Sequence, residues 1–93
     1  MKKNKLKLAR NKIDQLDQRI FNLIRKRTQI IRYMLSLKKF KKQIVDYKRI
    51  NKILKNIKKK SIKDKIDPKI TQRIWTAMIW SFVEYQRKNF RKK

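Results

Sequence analysis

Residues 6–38 read LKLARNKIDQLDQRIFNLIRKRTQIIRYMLSLK, and their spacing decides the fold. Leu6, Ile13, Leu16, Ile20, Leu23, Ile24, Ile30, Ile31, Met34 and Leu37 recur at helical intervals, which predicts one helix from about Lys5 to Lys38. At 1.5 Å per residue that helix is roughly 50 Å long, too long for an isolated helix of a small globule, so it needs a partner along its length. Arg10, Arg27 and Lys38 fall on the apolar stripe rather than opposite it. Desolvating a cation costs several kcal/mol unless an anion offsets it. With only six acidic residues in the chain, inward cations point to an anionic ligand.

Composition narrows the chemistry. Ninety-three residues make a single domain, near the lower size at which one chain buries enough apolar surface, so association with a second copy is expected. There is no cysteine and no histidine, which excludes a disulfide framework, a thiol nucleophile, an imidazole base and a typical transition-metal site. The apolar runs fall far short of the roughly 20 residues that cross a bilayer, and the start Met-Lys-Lys-Asn-Lys leads into an amphipathic segment without a signal-peptide core. The expected location is the cytoplasm, with no membrane partner. A formal charge of +25 attracts nucleic acid, anionic membranes and small polyanions alike, so it names no partner. Runs such as Lys58-Lys59-Lys60 read first as solvated faces.

The chain has no glycine and its one proline is Pro68, which leaves no hairpin turn or phosphate-cradling loop and predicts an all-α chain. Lys39 to Val45 breaks the first pattern. Asp46 then offers a cap to a second helix carrying Ile50, Ile53, Leu54 and Ile57 on one face. Periodicity fades over Lys58 to Lys65, and Asp67-Pro68 supplies a cap followed by proline at the first helical position. The third helix carries Ile70, Ile74, Trp75, Met78, Ile79, Phe82, Val83 and Phe90, with Gln86 on the stripe four residues after Phe82.

Helix geometry limits the inward cations. Arg27 and Lys38 lie eleven residues apart, about 16 Å along the axis, so two long side chains leaning together can grip one small ligand. Arg10 lies about 25 Å from Arg27 and joins such a ligand only from the antiparallel first helix of a second subunit. The competing reading of each cation is a side chain that buries its stem and leaves its head in water. Three cations on one stripe, with Gln86 on another, favour a site.

The stretch Arg10-Asn11-Lys12-Ile13-Asp14-Gln15-Leu16-Asp17, followed by Leu23-Ile24-Arg25-Lys26-Arg27 and then Lys38, resembles the first helix of the all-helical, type II chorismate mutases. Ile44-Val45-Asp46 with Arg49 is similar to the segment opening that family's second helix. Ile66-Asp67-Pro68 is similar to its next turn, and Ile74-Trp75 through Phe82, Tyr85 and Gln86 to its last helix. The resemblance implies an intertwined homodimer of three helices per chain, over residues 1–93, that isomerises chorismate to prephenate in aromatic amino acid biosynthesis without a cofactor. It implies that Arg27 and the second subunit's Arg10 bind the substrate's two carboxylates, and that Lys38 and Gln86 meet its ether oxygen. Asp46 then matches the contact to the ring hydroxyl, and Arg49 an outer arginine.

Two positions depart from the family's pattern. Ile50 stands where a glutamate usually holds the substrate hydroxyl, and isoleucine cannot accept a hydrogen bond. Phe82 stands where a small hydroxyl residue is frequent, with Ser81 one position away. Both departures resemble the related isochorismate pyruvate lyases, an alternative on the same fold. The alternative from another class is a basic helical protein that binds nucleic acid, supported by the charge and by aromatic rings that can stack on bases. Because most of those rings sit on the apolar stripe of the third helix, core packing explains them more simply, and nucleic acid is not the expected partner.

Overall fold

The computed structural model describes residues 2–91. It is built of α1 (Lys2–Leu37), a single 3-10 turn (Lys41–Gln43), α2 (Tyr47–Lys63) and α3 (Pro68–Asn89), with no strand among the described residues. Among those residues no helix is long and apolar enough to cross a membrane. The chain divides into two units, one ending at Tyr33 and the other beginning at Met34, and α1 runs unbroken across that boundary.

In the first unit α1 displays its apolar stripe. Ile13 is 56% exposed and Ile20 is 53% exposed, far above what a helix buried in its own chain would show. At 36 residues α1 spans about 54 Å, and it starts at Lys2, three residues before the expected beginning. The early start costs little, since lysine is a good helix former.

The second unit is organised by caps. Asp46 opens α2, its Oδ1 accepting the backbone N–H of Arg49 at 3.0 Å. Asp67 opens α3 in the same way, accepting from Lys69 N–H at 2.9 Å, and Pro68 occupies the first turn where its missing donor is harmless. α2 outlasts its apolar periodicity and runs on to Lys63. What holds its end is polar: Ser61, 3% exposed, donates to Ile57 O at 2.6 Å and shares a hydrogen bond of 2.6 Å with Thr71 Oγ1 on α3. The helix closes with Ile66 N–H on Ser61 O at 2.8 Å and Lys65 N–H on Ile62 O at 3.2 Å. Such a closure puts one residue in the left-handed region, and in a chain without glycine that residue is Lys65, at φ 58°.

The four-residue step from Asp64 to Asp67 turns α3 back along α2, so Ser61 meets Thr71 near the turn while Tyr47 meets Trp80 farther along. Ile50 from α2 and Ile79 and Val83 from α3 are buried, joined by Ile44 from the connection before α2. Among the described residues these four are the buried apolar side chains, a small core for a chain of this size.

Candidate active site

Lys38 follows the last residue of α1, where its N–H closes a tight turn on Leu35 O at 3.1 Å. Its ammonium donates to Gln86 Oε1 at 2.6 Å, across 48 residues of sequence. Gln86 is a polar residue on the inner face of α3, 7% exposed, and its Nε2 donates to Phe82 O at 3.3 Å one turn back. A buried amide needs partners for both ends, and here one end takes a cation while the other takes its own helix. Burial pushes the Lys38 ammonium below the ordinary lysine value, while Asp46 nearby pulls it back toward the charged form without cancelling the effect.

Lys38 and Asp46 open onto one cleft of about 460 Å³, lined also by Lys42, Gln43, Val45 and Tyr47. The volume suits a small organic molecule. One Asp46 oxygen is engaged by the cap of α2, and a carboxylate keeps a second oxygen able to accept from a ligand. Lys38 has three N–H donors with one given to Gln86, and Gln86 has two with one given to Phe82, so both retain donors for a ligand atom. Among the described residues no group of three His, Cys, Asp or Glu side chains stands together to hold a metal ion.

The sequence profile of chorismate mutase type II matches residues 9–87. The chain belongs to the chorismate mutase type II family. Its all-helical architecture agrees with that membership. Searches among curated proteins and among solved structures return no match.

Of the residues expected at the site of this family member, Lys38 is hydrogen-bonded to Gln86 and shares the cleft with Asp46, all three in the second unit, and Gln86 itself does not line the cleft. Arg10 and Arg27 stand on α1, the first exposed and the second half-buried. Arg49 is exposed on the first turn of α2, Ser81 is exposed on α3, and Phe82 is half-buried there and offers its carbonyl to Gln86. Ile50 is 9% exposed and belongs to the small core. None of these last four lines the cleft that holds Lys38 and Asp46.

Four cleft residues were not expected: Lys42, Gln43, Val45 and Tyr47. Val45 and Tyr47 flank Asp46 in sequence, and Lys42 and Gln43 lie four and three residues before it, so one short segment supplies them all. Gln43 has a structural task as well. Its Oε1 accepts the backbone N–H of Lys39 at 2.8 Å and of Phe40 at 2.9 Å, satisfying two donors just beyond the end of α1.

Proposed function

We propose that this protein is a chorismate mutase, an isomerase that converts chorismate to prephenate in aromatic amino acid biosynthesis, working in the cytoplasm as an intertwined homodimer without a cofactor. The observation that carries the reading is the 2.6 Å hydrogen bond between Lys38 Nζ and Gln86 Oε1 beside a cleft of about 460 Å³, in a chain of this family. In the rearrangement the ether C–O bond breaks as a C–C bond forms within the same molecule. No nucleophile, base or leaving group is required, which suits a chain with neither histidine nor cysteine. Negative charge grows on the ether oxygen as its bond stretches. Lys38 and the neutral Gln86 amide stabilise that charge more in the transition state than in the ground state, and Gln86 Oε1 holds the ammonium in place for the purpose.

The two substrate carboxylates are assigned to Arg27 and to Arg10 of a second copy, and Asp46 to the ring hydroxyl, with Arg49 outside it. The exposed stripe of α1, including Ile13, Leu16, Ile20 and Ile24, supports the second copy, because two such helices laid antiparallel would cover each other. Ile50, Ser81 and Phe82 are assigned to the substrate's surroundings.

A second reading, elimination of pyruvate from isochorismate, draws on Ile50, whose buried apolar side chain offers no acceptor to a ring hydroxyl. Nucleic-acid binding has less support, since Trp75, Trp80 and Phe82 are half-buried in packing and Tyr47 lies 6.3 Å from the Trp80 ring. The test is to offer each isomer to the purified protein. Prephenate from chorismate is the expected product; salicylate with pyruvate from isochorismate transfers the assignment to the lyase, and no turnover of either removes the enzyme reading.

A further inference from the structure

Beyond Lys38, the connection between α1 and α2 carries three more lysines, Lys39, Lys41 and Lys42, in a chain already rich in cations. Position separates them, because Lys42 lines the cleft and Lys39 and Lys41 do not. The connection that presents Lys42 is held at both ends. Gln43 Oε1 takes the N–H of Lys39 and of Phe40, Gln43 N–H returns to Phe40 O at 3.0 Å, and Ile44 N–H closes on Lys41 O at 3.1 Å. Four hydrogen bonds over six residues fix the backbone on which Lys42 stands, so its placement is prepared before a ligand arrives. Its ammonium lies 5.7 Å from the centre of the exposed Phe40 ring, and among the described residues it forms no ion pair with a carboxylate. That contact is weak at an exposed site and is readily exchanged for an anion. Tyr47 lines the same cleft, its largely exposed ring meeting Trp80 at 6.3 Å and an interplanar angle of 54°, and offers an aromatic surface to a flat ring.

We propose that Lys42 is a substrate-binding residue at the rim of the cleft, where its ammonium pairs with a carboxylate of a ring-bearing dicarboxylate whose reacting end meets Lys38. This rests on the function proposed above and adds a cation to its site. Lys42 acts on capture and not on the bond rearrangement, since it stands in water at the mouth while Lys38 is the partly buried cation paired with Gln86. An exposed cation of this kind contributes affinity shared equally by ground and transition states.

Lys41 supplies the control: it sits on the same turn with the same charge and does not line the cleft. Removing either lysine changes the overall field equally, so a difference between Lys42→Ala and Lys41→Ala reports position alone. With chorismate, Lys42→Ala is expected to raise KM about three- to fivefold with kcat within about twofold of the parent, Lys42→Arg to stay near the parent, and Lys41→Ala to match it. In parallel, isophthalate, a ring dicarboxylate that cannot rearrange, is titrated by NMR into the parent and both alanine variants. Turnover of chorismate with equal KM in the two alanine variants overturns the proposal and leaves the function standing. Isophthalate binding that weakens in Lys42→Ala and not in Lys41→Ala, in a protein that turns over neither isomer, removes the proposed function and supports the rim cation. A fall in kcat for Lys42→Ala with KM unchanged also overturns the proposal, because it would place the ammonium at the reacting bond.

Discussion

Lys38 is the residue on which burial and chemistry meet. Its ammonium is partly desolvated and tied to Gln86, and it loses its proton below the ordinary lysine value. Because the assigned role requires the charged form, kcat/KM for chorismate should fall as pH rises through that lowered value, earlier than for an unperturbed lysine. Lys38→Arg keeps its charge at any working pH and is expected to lose this alkaline decline, although its bulkier head reduces the rate. An alkaline limb that survives unchanged in Lys38→Arg would assign the titration to another group. Lys65 offers a second test at this scale. It holds a left-handed conformation at φ 58° that a β-carbon disfavours, so Lys65→Gly is expected to raise stability by about 0.5–1 kcal/mol in urea denaturation. A destabilised variant would contradict the closure described for the end of α2.

Among the elements, α2 and α3 are joined by a small apolar core and by the Ser61–Thr71 contact, which replaces apolar packing where the hydrophobic period of α2 runs out. Ser61→Ala leaves Thr71 without that partner, and Thr71→Val leaves Ser61 without it. Each is expected to cost about 1–2 kcal/mol, and the double variant less than the sum. Strict additivity in a denaturation cycle would show that the two hydroxyls are not coupled. The same contact explains what the sequence hid. Asp46 and Asp67-Pro68 were legible as helix starts because capping is a local bond between a side chain and the next turn. The run of α2 to Lys63 was not, because Ser61 earns its buried place from a partner ten residues away that no periodicity marks. The 3-10 turn was likewise invisible, being secured by one glutamine among lysines. At the candidate site, motif spacing singles out Lys38 and Gln86, whereas their hydrogen bond across 48 residues is a property of the fold. Lys42 and Tyr47 could be found only through the cleft they share with Asp46.

At the scale of the whole molecule, the stretch that decides the fold is also the one that leaves its apolar stripe exposed. α1 presents Ile13, Leu16, Ile20 and Ile24 to solvent with Arg10 among them, while the second unit buries only a modest core. A second α1 laid antiparallel would remove that apolar area from water and bring the partner's cations to each site. In the proposed dimer each site would take Arg27 from one chain and Arg10 from the other, and subunit exchange tests this directly. Arg10→Ala and Arg27→Ala homodimers should each be nearly inactive on chorismate. After mixing and verified exchange, half of the dimers are mixed, and each mixed dimer carries one site with both arginines intact. The expected recovery is about a quarter of the parent's activity. Activity that stays at the level of the separate variants would contradict a site shared between two chains.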